Sequence, residues 1–339
     1  MRGHMIAFQA KASFVCLLEV VRTTKNWWDA LGILFGIRKA ASVSLRHTSI
    51  LFTLTKGRWG NYRLLTKVLL NRNVQYVGGG LFRHGQILFD YQSNGLGFFA
   101  YSSNMKCYRS SSKDILCEVD SLKFIVPFPY GTYELKEIFI DKIYGDPDCH
   151  DAVVVDVGAF IGDSSVFFAS RGAKLVVAFE PIPDLYVILK KNVSLNGFES
   201  VIQTRNEAIG DVAGSVGVEY RTDGPGYSHV VAAGSGQILK ISQIPLSKVI
   251  ADLGSVDILK MDCEGCEHNA LREAAAAGAL KHVGLILIEV HFKLGNIIEL
   301  LRAEGFDKIK LKQIGRGLWL ASAQHESSRI CSSQDARHG

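Results

Sequence analysis

Apolar and polar positions follow two different patterns in the chain, and the pattern changes near residue 150. In the first 40 residues, apolar positions recur at helical spacing. Segments 49–55 and 86–91 then alternate between apolar and polar residues, as strands do, and glycine-rich stretches separate them. We therefore predict an accessory region over residues 1–128 that begins with a helix and continues as a small β-rich unit.

From Asp151 onward, short apolar runs alternate with segments of helical length, which is typical of βαβ units and a parallel sheet. The run 152–157 is apolar apart from one aspartate, so we expect a strand buried on both faces. Further strands are predicted over 175–180, 201–205, 256–262, 283–290, 308–312 and 317–321. Helices are predicted over 162–172, 183–197, 270–277 and 294–304. The predicted fold class is α/β, with a doubly wound, mostly parallel sheet.

Composition and charge exclude several classes of protein. The 339 residues carry a net charge of +5, which is too small an excess to indicate nucleic-acid binding. No stretch of about 18 apolar residues occurs, so we predict no integral membrane span. The seven cysteines are odd in number and widely scattered, which favours reduced thiols in a cytoplasmic protein over a disulfide framework.

The segment 156–163, Asp-Val-Gly-Ala-Phe-Ile-Gly-Asp, joins a predicted strand to a predicted helix. Its glycines allow the backbone to approach a ligand, and the helix N-terminus favours an anionic group. Gly158 and Gly162 are spaced Gly-x-x-x-Gly, which fits neither the dinucleotide fingerprint nor a P-loop. Asp156, just before the first glycine, suits an ammonium group. A zwitterionic amino-acid end therefore fits this loop, and a tight turn without a ligand is the alternative.

Glu180 ends the next predicted strand, about 20 residues after the glycine loop. In doubly wound sheets, an acidic residue at this distance binds ribose hydroxyls. A glutamate at a strand end otherwise faces solvent. The spacing favours ribose binding.

Six segments follow one another in the order 156–163, 179–181, 192–196, 206–210, 259–267 and 289–291. In these segments and their order, the chain resembles the FkbM-type family of S-adenosylmethionine-dependent methyltransferases from about Tyr133 to Phe306. The first two are general to nucleoside-binding methyltransferases, whereas Asp-Cys-Glu-Gly-Cys-Glu with a downstream Glu-x-His is more particular to this family. The resemblance implies a seven-stranded sheet with one antiparallel edge strand, and S-adenosylmethionine across its carboxyl edge.

The resemblance also implies roles for individual residues. Gly158 and Asp163 would flank the methionine moiety, Glu180 would hold the ribose, and 206–208 would lie beside the adenine. The predicted cofactor-binding residues are Asp156, Gly158, Gly162, Asp163, Glu180, Asn206, Ala208 and Asp262.

Two predicted strand ends carry the groups expected to do the chemistry. Asp262 and Glu264 leave the fourth strand, and Glu289 and His291 leave the fifth, where ligands of open α/β sheets bind. We predict Asp262, Glu264 and His291 as catalytic residues. His291 is the expected base, because an imidazole of ordinary pKa, ~6.5, is mostly neutral at cellular pH. A hydrogen-bonded structural histidine is the alternative.

Two metal sites are conceivable from residue types alone. Cys263, Cys266 and His268 have the spacing of a zinc half-site, but no second Cys-x-x-Cys follows, so paired small thiols are the preferred interpretation. Oxygen ligands at Asp262, Glu264 and Glu289 would suit magnesium or calcium. We predict no metal.

Residues 129–322 are therefore predicted to be an S-adenosylmethionine-binding methyltransferase domain, followed by a polar tail over 323–339. The expected reaction is O-methylation of a hydroxyl on a small molecule, sugar or glycan. An amine or carboxylate acceptor, or a non-catalytic nucleoside-binding module, are the alternatives. A missing Asn-Pro-Pro-Tyr motif disfavours nucleic-acid bases as acceptors. The sequence leaves open the oligomeric state and whether the Trp27-Trp28 helix touches a membrane. The glycine-rich segment 224–236 is interpreted either as a lid or as a hairpin connection.

Overall fold

The computed structural model describes residues 21–25, 27–34, 37, 39–46, 51–55, 74–78, 81–84, 87–90, 106–109, 114–127, 132–220, 237–291, 294–315 and 317–328. The chain forms two compact units. The first comprises Met1–Cys117 and Pro127–Tyr133, and the second Glu118–Val126 and Glu134–Gly339.

The described part of the first unit includes a short helix and several antiparallel strands. Helix α1 spans Trp27–Leu34 and is followed by the pair β1 (Ala40–Ser44) and β2 (Leu51–Thr55). Strands β3 (Val74–Gly78), β4 (Leu81–His84) and β5 (Ile87–Asp90) form a second sheet, and β6 spans Lys106–Arg109. Strands β2 and β5 lie within the two segments predicted to be strands. Ala30 and Leu31 are buried and Trp28 is 71% exposed, so α1 packs through the face opposite this tryptophan.

The second unit is organised around a seven-stranded sheet. Its members are β9 (Val153–Val157), β10 (Leu175–Phe179), β11 (Ile202–Arg205), β15 (Val256–Met261), β16 (Val283–Val290), β17 (Phe306–Gly315) and β18 (Leu318–His325). Their order is β11-β10-β9-β15-β16-β18-β17, with β18 antiparallel to both of its neighbours. The predicted α/β fold with a mostly parallel seven-stranded sheet is confirmed.

The position of the antiparallel strand differs from the expectation. The antiparallel strand β18 lies between β16 and β17 rather than at the edge. A short turn joins β17 to β18, which forces the two to run in opposite directions, and β18 then pairs with β16 along its length. Residues 323–325 belong to this strand, so the predicted polar tail does not begin at residue 323. Residues 329–339 lie outside the described residues.

Helices cover both faces of the sheet. They are α2 (Thr132–Phe139), α3 (Asp163–Ser170), α4 (Pro183–Leu195), α5 (Leu246–Leu253), α6 (Glu267–Ala276) and α7 (Ile297–Ala303), with a 3-10 turn at Leu280–His282. Neighbouring residues of a strand point to opposite faces. Val155 and Val157 accordingly pack in a core cluster with residues of α5, α6 and α7, whereas Asp156 faces α3.

Several elements of this unit were not predicted. A three-stranded sheet of order β12-β14-β13 comprises β12 (Ala208–Gly210), β13 (Gly214–Tyr220) and β14 (Gln237–Pro245). Strands β7 (Asp114–Val119) and β8 (Leu122–Pro127) were also not predicted. The segment interpreted as a lid or a connection lies outside the described residues. Within the described part of the chain, every helix is too short or too polar to span a bilayer.

Candidate active site

A cleft that is open to solvent lies at the carboxyl ends of β9, β10 and β15. Parallel strands place their following loops at the same edge, where open α/β sheets bind ligands. The cleft is lined by the glycine loop, the Glu180 segment, residues 207–209, the loop after β15 and part of α2. Of the predicted site residues, it is lined by Gly158, Asp163, Glu180, Ala208, Asp262 and Glu264.

The glycine loop is held tightly against the loop after β15. Gly158 has φ +77°, and a Cβ atom placed on it would lie 1.8 Å from the carbonyl oxygen of Asp262. The glycine is therefore required by the packing of two protein loops, in addition to any approach of a ligand. Gly162 has φ +86° and precedes α3, but it does not line the cleft.

Asp156 lies behind the loop rather than in the cleft. Its carboxylate is fully buried, accepts hydrogen bonds from the hydroxyls of Ser164 (2.7 Å) and Ser165 (2.5 Å), and forms an ion pair with Lys260 at 3.1 Å. Lys260 also donates to the carbonyl of Gly158 at 2.7 Å. The ammonium of Lys260 thus lies beside the carboxylate where a ligand ammonium was expected. Asp156 instead fixes the glycine loop.

Glu180 reaches the cleft from the end of β10 and is 4% exposed. Its two carboxylate oxygens accept hydrogen bonds from the backbone N–H groups of Phe160 (2.9 Å) and Ile182 (2.8 Å). Burial raises the pKa of Glu180 to about 8. Asn206 does not line the cleft; its side-chain amide donates to the carbonyls of Glu180 (2.9 Å) and Pro181 (3.0 Å) and so holds this segment in place.

Asp163 also faces the cleft, at the first residue of α3. It is 3% exposed, and its carboxylate accepts the backbone N–H of Ser164. Burial raises the pKa of Asp163 to about 7. The floor of this half of the cleft therefore holds two buried carboxyl groups, Asp163 and Glu180, that a cationic or hydroxyl-bearing ligand would help to ionise.

A second cluster of ionisable groups forms where β15 and β16 end. The Nε2 atom of His291 lies 3.4 Å from Glu264, 3.7 Å from Glu289 and 3.9 Å from Asp262, each measured to a carboxylate oxygen. Its Nδ1 atom is hydrogen-bonded to the fully buried Glu267 at 2.9 Å. The structure thus brings together the three residues predicted as catalytic and adds two carboxylates to them.

The electrostatics of this cluster contradict the expected role of His291. Burial alone would lower the pKa of His291, but the hydrogen bond and charge of Glu267, with the charges of Glu264 and Asp262, raise it to about 9. The imidazole therefore carries a proton at neutral pH and is not the neutral base that was predicted. Burial and the charge of Asp262 raise the pKa of Glu289 to about 8.

The loop between Asp262 and α6 is closed in two ways. A disulfide joins Cys263 to Cys266, and the backbone N–H groups of Cys263 (3.2 Å) and Gly265 (3.3 Å) donate to one oxygen of Glu267. Cys117 is also disulfide-bonded. The expectation of reduced thiols is thus wrong at these positions, because the chain places the cysteines within bonding reach, and neither sulfur of the 263–266 pair is available to zinc.

Sequence reasoning missed two functional contacts. Tyr144 is buried, lines the cleft and donates its hydroxyl to Asp262 at 3.4 Å. It stands in the connection between α2 and β9, where no motif signals it. Lys260 was taken only as part of a strand, although a lysine inside an apolar run is the kind of residue that needs a buried partner.

Part of the chain is similar to a known family. Residues 156–308 match the model of the methyltransferase FkbM domain. The strand ends that line the cleft, from Val157 to Asp262, lie inside the matched residues.

The relatives match the chain only in part. Methyltransferase 1 of Beauveria bassiana is 27% identical over 161 residues, which cover 40% of this chain and 64% of the relative. The AMB antimetabolite synthetase AmbE of Pseudomonas aeruginosa is 28% identical over 229 residues, 52% of this chain and 10% of the synthetase. The chain therefore spans less than two thirds of the length of these relatives. The crystal structure of methyltransferase FkbM from Methylobacillus flagellatus is 19% identical, with a TM-score of 0.37, and covers 51% of this chain and 43% of that one.

Proposed function

We propose that the protein is an S-adenosylmethionine-dependent methyltransferase that methylates a hydroxyl on a small molecule, sugar or glycan. The observation that carries the proposal is one cleft with two chemically different ends. At one end, the glycine loop and Glu180 present groups that suit a nucleoside. At the other end lies the loop 262–264, which carries two carboxylates. The match to the FkbM domain supports the same reaction class.

The charge of the cleft suits this cofactor. Seven of its described lining residues are acidic, namely Glu134, Glu137, Asp163, Glu180, Glu207, Asp262 and Glu264. The cation among them, Lys260, is paired with Asp156 behind the loop. S-adenosylmethionine carries a sulfonium and an ammonium, so its binding offsets the repulsion among these carboxylates.

The cofactor would be held along the strand ends in a defined order. Asp163 and the backbone at Gly158 would contact the methionine part, Glu180 the ribose hydroxyls, and Ala208 the adenine. Glu180 has the right chemistry because its oxygens, already fixed by two backbone N–H groups, retain acceptor capacity for hydroxyl donors. Asn206 and Asp156 serve as supports for these segments.

Methyl transfer is an in-line displacement. A bond forms between the acceptor oxygen and the methyl carbon while the carbon–sulfur bond breaks, which leaves S-adenosylhomocysteine as a neutral thioether. Most of the acceleration should come from alignment of the two reacting atoms. The hydroxyl proton must move to a base that reaches the cleft. Glu264 lines the cleft whereas His291 does not, so we assign the base to Glu264, acceptor orientation to Asp262, and a positioning role to His291.

The test is transfer from methyl-labelled S-adenosylmethionine to a panel of hydroxylated small molecules, sugars and glycans, followed by mass spectrometry. We expect products heavier by one methylene unit, and Glu264→Gln should lower turnover by about 10²–10⁴-fold. The exposed Glu299→Gln on α7 is the matched control and should react as wild type. Transfer only to amines or carboxylates, or cofactor binding without any transfer, would contradict the proposal.

A further inference from the structure

We propose that Asp262, Glu289 and His291 form a binding site for one divalent cation of the Mn²⁺ or Mg²⁺ class. The three donors come from the ends of adjacent strands, β15 and β16. One ligand atom from each lies within 4.8 Å of the others. Donors on opposite sides of such an ion are separated by about twice the bond length, ~4–4.6 Å, so this spacing fits a single ion.

The orientation of His291 also supports the site, and it is set by a residue that is not a proposed metal ligand. Glu267 is fully buried and accepts hydrogen bonds from the N–H groups of Cys263 and Gly265. Its carboxylate is hydrogen-bonded to Nδ1 of His291, which directs Nε2 towards the other carboxylates. Metal-binding histidines characteristically donate their second ring nitrogen to a carboxylate in this way.

The distances around Nε2 fit an ion better than a proton. The three carboxylates surround Nε2 at 3.4–3.9 Å. Charge-assisted hydrogen bonds between a ring nitrogen and a carboxylate are about 2.7–2.9 Å long. One proton on Nε2 can approach only one of these oxygens, whereas an ion between the groups contacts Nε2 and the oxygens of Asp262 and Glu289 at once.

The local charge points the same way. Asp262, Glu264 and Glu289 converge on one imidazole. Lys260, whose ammonium lies at this edge, is paired with Asp156 (3.1 Å) and donates to the carbonyl of Gly158 (2.7 Å). A divalent cation bound among the carboxylates would offset their mutual repulsion.

The role of the ion rests on the proposed methyl transfer. Asp262 lines the cleft, so an ion on this carboxylate faces the bound acceptor. Coordination of the acceptor hydroxyl lowers its pKa, as it does for metal-bound water. The proton passes to Glu264, the oxygen forms its bond to the methyl carbon, and the sulfonium becomes a thioether. Glu264 is the base and is not required as a ligand.

The experiment measures metal binding without turnover. Wild-type protein is stripped with a chelator and titrated with Mn²⁺, with the free ion followed by electron paramagnetic resonance. We expect one Mn²⁺ per chain, weakened at least tenfold in Asp262→Asn, Glu289→Gln and His291→Asn. Glu267→Gln should weaken binding by about 10–100-fold, as for other carboxylates behind a metal-bound histidine. Glu264→Gln should bind Mn²⁺ within about threefold of wild type and lose transfer, while Glu299→Gln should change neither.

Two outcomes overturn the site. One is wild-type protein that binds no Mn²⁺, a result that needs no variant to fold. The other is a Glu289→Gln protein with a wild-type circular dichroism spectrum and wild-type Mn²⁺ affinity. If transfer proceeds in chelator and no Mn²⁺ binds, the metal site fails and the proposed function stands. If Mn²⁺ binds with the expected variant pattern but no acceptor is methylated, the proposed function fails and the site stands.

Discussion

Two sets of acidic residues at the same edge of the sheet have different surroundings. The carboxylate of Asp156 is fully buried, receives two serine hydroxyls and forms an ion pair with the ammonium of Lys260. Asp262, Glu264 and Glu289 are only partly buried and lie around one imidazole, and Asp262 and Glu264 also line the cleft. A fully buried carboxylate with an internal cation stabilises the fold, whereas partly exposed carboxylates that line a cleft can be reached by a ligand.

The largest effect is expected from removing the cation that pairs with Asp156. Lys260→Met removes the cation from a fully buried Asp156, and breaking a buried ion pair on one side costs about 3–5 kcal/mol. Urea unfolding of the cofactor-free protein measures the loss. The double variant with Asp156→Asn removes the stranded charge and should recover part of the stability. A loss below about 1 kcal/mol in the single variant would mean that Asp156 is not held by Lys260.

A smaller effect is expected at Glu180, which is buried like Asp156 but lines the cleft like Asp262. Since burial raises its pKa to about 8, the carboxyl group is protonated below that pH in the free protein. If ribose hydroxyls donate to the ionised form, cofactor binding releases this proton. Affinity for S-adenosylmethionine should therefore rise as the pH increases towards about 8 and level off above it.

Glu180→Gln should flatten this contribution to the pH profile and weaken binding by about 1–3 kcal/mol, as measured by calorimetry from pH 6 to 9. The exposed Asp211→Asn is the control and should keep the wild-type profile. An unchanged affinity and profile in Glu180→Gln would show that this carboxylate does not contact the cofactor.

The smallest effect is expected from removing the disulfide in the loop that carries Asp262 and Glu264. Cys263 and Cys266 are only three positions apart, so the entropy of closing this loop in the unfolded chain corresponds to about 2 kcal/mol or less. The double serine variant should retain its loop geometry, because Glu267 still accepts two backbone N–H groups there. Thermal unfolding with Mn²⁺ titration tests this. A large loss of Mn²⁺ affinity would mean that the disulfide, not Glu267, holds the loop.

Local sequence signals placed most elements of the second unit because each signal acts within a few residues. The apolar run at 283–290 coincides with β16, and Pro183 begins α4 as expected of a proline in the first turn. The small sheet of β12–β14 was missed, since β12 is only three residues long and β13 and β14 are partly exposed and lack a continuous apolar run.

The structure brings the predicted residues of the candidate site together, but the protonation and the partners of two of them differ from the expectation. Strand-end spacing brought Asp262, Glu264 and His291 to one place, as the sheet order requires. The protonation of His291 was wrong, because it depends on Glu267 in the next helix. The part played by Asp156 was also wrong, because Lys260 lies on another strand.

The sequence by itself determined the α/β class, the succession of strands and helices, and the two loops that carry the glycine and acidic motifs, because these follow from periodicity and short-range backbone preferences. Only the tertiary structure decided that β18 inserts beside β16, that Tyr144 donates to Asp262, and that Lys260 pairs with Asp156. Those outcomes depend on partners as far as 118 residues apart. The pKa of an ionisable side chain and its interactions depend on such distant neighbours and on burial. A local sequence pattern contains neither.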